Sequence, residues 1–332
     1  MKLSSRKTAD DITDVPGFLV GHATDLNAKT GVTIVLPPAG GAVGGIYVGG
    51  SAPSTRQMDS LNPFHIVERV HAICLCGGSA FGLDAAGGVL AYLEEHGIGI
   101  QVVGRTVPIV PAAAIFDLNF GDGSVRPDAA MGRRACENAS SEPMDQGSVG
   151  AGTGATVGKL FGIDQAMKGG LGSASAISGE LVVAALTVVN AYGDVTDVGG
   201  NLLAGARTSP GSLELADSAH LLQAGKAKSR TISVENTTLA VIAVNAAMNK
   251  AVASRVALQA TLGLERVIRP FHTHIDGDLT IVISAGTVKA DANRIALMAA
   301  EVLQKSVRKA ICGANGFGLL PAWMDRGIPR EA

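Results

Sequence analysis

The chain has 332 residues, 47% apolar and 17% charged, with 43 glycines, 4% aromatics and a formal net charge of -2. A chain of this length buries roughly three quarters of its unfolded surface, which excludes disorder as its main state. A core poor in rings must be filled by Ala, Val, Leu and Ile, with backbones meeting closely at glycines. The near-neutral charge leaves no electrostatic footprint for nucleic acid or anionic lipid, so neither is expected as a partner.

From Phe18 to Val48 the chain reads as β-branched stretches, Val32 to Leu36 and Ala42 to Val48, broken by Gly-Pro punctuation. Asn62 to Val70 predicts a helix with Pro63 at its first position, followed by the apolar run Ala72 to Cys76. Ser79 to Glu95 carries Phe81, Leu83, Ala86, Val89, Leu90 and Leu93 at helical spacing, with Gly97 as a C-terminal stop. Strands are expected at Gly99 to Val103 and Val110 to Phe116, and a helix from Asp128 to Asn138. The segment GSVGAGTGATVGK, Gly147 to Lys159, must run where backbones approach each other.

Ala174 to Ile177 and Leu181 to Asn190 read as strands, the second buried on both faces. Gly205 to Glu235 is polar and reads as a long exposed connection, with a helical piece at Leu213 to Leu222. Thr237 to Ala246 is a strand pattern, Lys250 to Leu262 a helix, and Leu279 to Ser284 a strand. Asp291 to Ile311 is a long helix with Asp291 as N-cap and Ile295, Met298, Val302 and Val307 on one face. Two α/β blocks of this kind argue for helices outside stacked sheets.

The four cysteines, Cys74, Cys76, Cys136 and Cys312, form no CxxC pair and are too few for a disulfide scaffold, so they read as thiols in a reducing compartment. The polar N-terminus lacks the apolar region of a secretory signal. No uninterrupted apolar run of about 18 residues is present to span a bilayer. A cytoplasmic location is the expectation.

Three motifs bear on chemistry. Gly158-Lys159 resembles the end of a phosphate-binding loop, but that pattern would need glycine at Thr153 and a hydroxyl at Leu160; Gly150, Gly152 and Ala155 fit a dinucleotide pattern without the surrounding unit. Ser79 has Gly77 before it but Phe81 where a nucleophile elbow needs glycine. His272, His274, Asp276 and Asp278 alternate, and on an extended strand they would share one face. That arrangement leaves three readings open: a metal site, an Asp-Gly-Asp turn, or a pair of catalytic acids.

The junction Asn236-Thr237-Thr238 opens an apolar strand. If the chain were cut before Thr237, its hydroxyl would sit beside a free α-amine of reference pKa roughly 7.7, and one residue would supply nucleophile and base. An ordinary strand start is the competing reading.

ITDVPGFLVGHATD (12–25), TGVTIVLPPAGGAVGGIYVGGSAPSTR (30–56), AICLCGGSAFGLDAAGGV (72–89), GAGTGATVGK, VVNAYGDV (188–195), ENTTLAVIAVNA and RPFHTHIDGDLTIVIS (269–284) together resemble the DmpA-like L-aminopeptidase/D-esterase peptidases, over nearly the whole chain and in the family's order. The Asn-Thr junction and the Asp-Gly-Asp motif look most like the nylon-oligomer (6-aminohexanoate-oligomer) hydrolases. The resemblance implies an α/β, four-layer αββα sandwich of the N-terminal nucleophile hydrolase type. It implies one domain, residues 1–332, cut by itself into chains 1–236 and 237–332 at Asn236–Thr237. It further implies Thr237 as nucleophile, Asp276 and Asp278 as an acidic pair, Lys159 as a nearby cation, and Asn190 as an oxyanion or substrate contact. No cofactor or metal is implied, and the expected assembly is a homotetramer.

Two carboxylates so close titrate as a coupled pair. Two departures stand out. Aminopeptidases of the family have serine as nucleophile and a Ser-x-Glu pair where this chain has Asp276-Gly277-Asp278, and a tyrosine of the nylon-oligomer enzymes corresponds to Phe116. The reading is a self-processing threonine amidohydrolase of short peptides or linear oligoamides. The alternatives are an N-terminal aminopeptidase or D-amino-acid esterase, and an uncleaved, non-catalytic relative serving binding or assembly.

Overall fold

Ten successive residues from Leu181 to Asn190 are buried, and this strand sets the architecture. The computed structural model describes residues 8–227 and 236–327. A six-stranded sheet runs in the order β12 (Gly170–Ser178), β13 (Leu181–Asn190), β16 (Thr237–Ala246), β18 (Leu279–Val288), β3 (Ala42–Val48) and β5 (Arg69–Val70). Only the β16/β18 pair in it is parallel. A five-stranded sheet has the order β1 (Leu19–Asp25), β2 (Thr30–Leu36), β6 (Ile73–Cys76), β9 (Ala112–Ala114) and β4 (Ser54–Arg56). Three small sheets complete the strands: β7 (Ile100–Val102) with β8 (Arg105–Val107), β10 (Thr156–Val157) with β11 (Met167–Lys168), and β14 (Asp194–Thr196) between β15 (Leu202–Ala204) and β17 (Ile268–Arg269).

The period of two along a strand sorts side chains onto opposite faces, and both faces of each large sheet are covered. On the inner face Val182, Ala184, Leu186 and Val188 of β13 and Leu239, Val241 and Ala243 of β16 meet Val35, Ile73, Leu75 and Ala113 of the five-stranded sheet. On the outer face Val183, Ala185, Ala240, Ile242 and Val244 meet α5 (Lys250–Glu265) and α6 (Ala292–Cys312). The five-stranded sheet turns Val32, Ile34, Cys74 and Cys76 outward to α2 (Ala85–Glu95) and α3 (Ala129–Glu137). The result is the four-layer αββα sandwich. Each fully buried Val, Leu or Ile contributes about 1.5–3 kcal/mol to it.

Glycine lets these layers close. A Cβ at Gly172 of β12 would lie 2.1 Å from the Ser306 carbonyl of α6, and one at Gly45 of β3 would lie 2.3 Å from the Ser254 nitrogen of α5. Gly147 to Lys159 threads between the sheets as the sequence suggests: a Cβ at Gly150 would strike Thr33 Oγ1, and one at Gly152 the Leu171 nitrogen. The caps also hold, with Asp128 accepting from Met131 N, Asp291 from Asn293 N and Arg294 N, and Gly97 at φ +68.

Three sequence expectations are corrected. Residues 62–70 form turns ending in β5, not a helix, because the Lys250 ammonium gathers the carbonyls of Ser60, His65 and Val67 at 2.8, 3.2 and 2.8 Å. The helix expected at Ser79 to Glu95 is two pieces, α1 (Ser79–Gly82) and α2. The polar connection is not all exposed. Arg207 is buried and donates to the carbonyls of Ala166, Asp164, Pro210 and Ser212, while buried Ser218 opens α4 (Ser218–Gln223) and donates to Asp194. Residues 228–235 of that connection lie outside the described residues. No helix among the described residues is long and apolar enough to cross a membrane.

Candidate active site

Three adjacent strands of the six-stranded sheet bring the site together at one end. Thr237 is the first residue of β16 and pairs in register with Asn190, the last of β13. On the other side, β18 begins just after Asp276-Gly277-Asp278, and Asn236 forms an isolated parallel bridge with Asp276. Lys159 ends the glycine-rich segment and reaches across to Asn190. All six residues are buried: Lys159, Asn190, Asn236, Thr237, Asp276 and Asp278 are each 5% exposed or less. In a sheet end enclosed on both faces, that much polarity is tolerated only where hydrogen bonds satisfy it.

Those bonds organise two flanks. On the β18 side the Thr238 N–H donates to Asp278 Oδ1 at 2.6 Å. His272 donates to Asp278 Oδ2 from its backbone N at 3.2 Å and its Nδ1 at 3.0 Å. Asp276 Oδ2 accepts from the Thr273 N and Oγ1 at 2.8 and 2.6 Å, while its Oδ1 is buried and has no partner among the described residues. On the β13 side Lys159 Nζ donates to the Asn190 O and Oδ1 at 3.0 and 2.9 Å. The Asn190 Oδ1 also accepts from the Thr156 N at 3.0 Å, and its Nδ2 donates to the Phe116 carbonyl at 3.1 Å.

The junction itself carries two converging donors. Thr237 Oγ1 donates to the Asn236 carbonyl oxygen at 2.6 Å, and the Gly277 N–H donates to the same oxygen at 2.8 Å. Gly277 must lack a side chain, since a Cβ there would lie 2.8 Å from Thr237 Oγ1 and 2.7 Å from the Ala52 carbonyl oxygen.

Burial raises the Asp276 carboxyl to about 6, the charge of Asp278 adds to the rise, and the Thr273 hydrogen bonds and the Lys159 charge oppose it. Burial likewise pushes the Tyr192 phenol up to about 12, with Asp276 and Asp194 adding their charge. Asp276 thus sits near the operating range of a general base at neutral pH.

The one-face arrangement expected of His272, His274, Asp276 and Asp278 is not what forms. The segment is a turn rather than an extended strand, with His272 at φ +53 and His274 exposed. Among the described residues no group of three or more His, Cys, Asp or Glu could hold a metal ion. Sequence reasoning missed the Gly277 N–H as a donor; the glycine between two aspartates was its only signal. A small cleft beside Lys159 is lined by Phe116, Asn119, Phe120, Thr156 and Ile163. Two larger cavities, about 520 and 710 Å³, lie along α6 around Lys305, Arg308 and Trp323 and include none of the six site residues.

The family model for peptidase family S58 matches residues 10–318. An uncharacterized aminopeptidase of Mycobacterium leprae is 40% identical over 306 residues, covering 85% of this chain and 80% of the relative. A 6-aminohexanoate-oligomer endohydrolase of a Kocuria strain is 29% identical over 311 residues, 90% of this chain and 84% of that protein. Among solved structures, the L-aminopeptidase D-Ala-esterase/amidase of Ochrobactrum anthropi, described as a variant of the Ntn hydrolase fold, aligns with TM-score 0.70 at 18% identity over 92% of this chain and 87% of its own. A Burkholderia β-aminopeptidase aligns with TM-score 0.68 at 20% identity over 95% and 90%. These two likenesses establish the fold, and the family match with the curated relatives establishes the rest: this chain belongs to peptidase family S58 and is a hydrolase acting on amide bonds.

Proposed function

We propose that the chain is a precursor that cuts itself between Asn236 and Thr237 and then works as an N-terminal threonine amidohydrolase on short peptides or linear oligoamides. The observation that carries this reading is the placement of Thr237 Oγ1 and the Gly277 N–H on one carbonyl oxygen, that of Asn236. The hydroxyl is adjacent to the carbonyl it would attack, and the oxygen that would become negative already has a fixed donor.

In the first stage Asp276 takes the Thr237 hydroxyl proton as Oγ1 adds to the Asn236 carbonyl carbon. The tetrahedral oxyanion rests on the Gly277 N–H. Collapse breaks the Asn236–Thr237 C–N bond, the nitrogen takes the proton, and an ester between Asn236 and Thr237 Oγ1 remains. Water hydrolyses it, leaving a carboxylate on Asn236 and a free amine on Thr237. In the second stage that amine serves as base for its own hydroxyl, which is acylated by a substrate amide and released by water. Asp278 anchors the Thr237–Thr238 peptide, Lys159 offsets the carboxylate charge, and Asn190, paired in register with Thr237, is the oxyanion or substrate contact of the proposal.

The Asp276-Gly277-Asp278 turn and the 6-aminohexanoate-oligomer endohydrolases among the relatives support a linear oligoamide substrate, and the mycobacterial aminopeptidases support an exo-acting alternative. An N-blocked oligoamide separates the two. Its hydrolysis by protein whose activity rises with the fraction cleaved supports the reading. Sparing of the blocked substrate while the free one is cut would establish the aminopeptidase. Activity in a chain that stays whole would sink self-processing. A homotetramer in the cytoplasm completes the proposal, and sedimentation of the purified protein tests the assembly.

A further inference from the structure

His272 lies outside every role assigned so far, yet it is built into the site more firmly than its sequence position suggests. Its backbone takes φ +53, a conformation in which His, Asn and Asp are enriched among non-glycine residues. That turn lets the residue give two donors, N and Nδ1, to the same oxygen, Asp278 Oδ2, at 3.2 and 3.0 Å. Because a carboxylate oxygen only accepts, Nδ1 carries the hydrogen in this contact. Nε2 is buried with no partner among the described residues, so the ring is held for what Nδ1 does.

The surroundings fix the ring. It stacks on Phe271 with centroids 3.9 Å apart and lies 5.9 Å from Tyr47. A Cβ at Gly49 would fall 2.1 Å from Nε2, so the ring occupies space that only glycine leaves open. Gly49 and Gly50 in turn donate their N–H groups to the Asp278 backbone carbonyl at 3.1 and 3.0 Å. The far oxygen of the same carboxylate holds the Thr238 N–H at 2.6 Å.

We propose that His272 is a positioning residue of the reaction: its Nδ1–H locks the Asp278 carboxylate in the orientation that anchors the first peptide of β16 and so aims Thr237. The inference rests on the threonine-nucleophile reading for its consequence on rate, but not for the anchoring itself.

The test uses the full-length chain with two substitutions that divide the ring from its N–H. His272→Asn keeps an N–H donor near the Nδ1 position and suits positive φ. His272→Phe keeps the stacked ring and removes the donor. Self-cleavage rate, kcat and KM on an oligoamide, hydrogen exchange of the Thr238 amide and Tm are measured for both. A misaimed nucleophile costs about 10- to 100-fold, so the Phe variant is expected to lose that factor in self-cleavage and kcat with KM within about twofold. Its Thr238 amide exchanges faster, and the Asn variant retains most of the rate and protection. A Phe variant with wild-type rates and a protected Thr238 amide would overturn the proposal, as would an Asn variant as impaired as Phe at unchanged Tm. If the wild-type chain itself neither cuts nor hydrolyses amides, the functional reading fails alone, and Thr238 exchange still decides the anchoring.

Discussion

The two flanks of β16 reach Thr237 by different physical means. The β18 flank is anionic and local: Asp276, Gly277 and Asp278 lie within three residues, and their carboxylates are held by N–H and hydroxyl donors from Thr238, His272 and Thr273. The β13 flank is cationic and assembled from afar: Lys159 meets Asn190 across 31 residues, and Asn190 is tied to Thr156 and Phe116. The segment carrying Lys159 is itself pinned by a second lysine. Lys168 is fully buried and donates to the carbonyls of Gly152, Ala155 and Gly169 at 3.1, 2.7 and 3.0 Å. One flank places charge by turn geometry, the other by threading a glycine-rich backbone around buried ammonium groups.

Breaking the anionic flank should have the larger effect. Gly277→Ala forces a Cβ against Thr237 Oγ1 and the Ala52 carbonyl and displaces the donor on the Asn236 oxygen. Loss of one such donor costs about 10²–10³ in rate, read as the rate of fragment appearance on denaturing gels.

The flanks meet electrostatically at Asp276, which in the proposed mechanism must be ionised to accept the Thr237 proton. With its carboxyl at about 6, self-cleavage should slow as the pH falls through 6. Lys159 opposes that rise, so Lys159→Met should move the acid limb of the rate profile to higher pH. A limb that stays in place would separate Lys159 from the carboxylates.

The cationic flank should answer mainly in stability. Lys168→Met removes one donor from each of three buried carbonyls, of which those of Gly152 and Ala155 keep the N–H groups of Ala155 and Gly169; a carbonyl left unsatisfied costs about 1–3 kcal/mol, seen as a lowered Tm. Burial lowers the Lys168 ammonium to about 7, with Asp117 opposing the fall and Lys159 adding to it. Between that value and the ordinary lysine range the unfolded chain binds more protons, so wild-type stability should rise with pH upward from 7. The Met variant should lose that slope.

Much of this was legible in the sequence where local pattern and tertiary demand agree. The nearly all-apolar run from Leu181 to Asn190, the strand opening at Thr237 and the helix capped by Asp291 all form with bounds close to those expected. Thr237, Asp276, Asp278, Lys159 and Asn190 arrive at one sheet end, although their spacing alone showed no reason to meet. What stayed illegible depends on distant partners. Pro63 announced a helix, but a lysine nearly two hundred residues later claims the carbonyls around it. The histidine and aspartate alternation suggested one shared face until the positive φ of His272 turned its ring into the site and left His274 outside. The Gly277 donor is a backbone group, signalled only by the glycine between two aspartates.

The central claim is that Thr237 cuts the bond before it, and intact-mass analysis over a time course, with wild type and Thr237→Ala side by side, tests it most directly. The expected result is conversion of wild type into two fragments meeting at Asn236 and Thr237, with the Ala variant remaining whole. The same cut in the Ala variant, or a wild-type chain that stays intact through days of incubation, would contradict it.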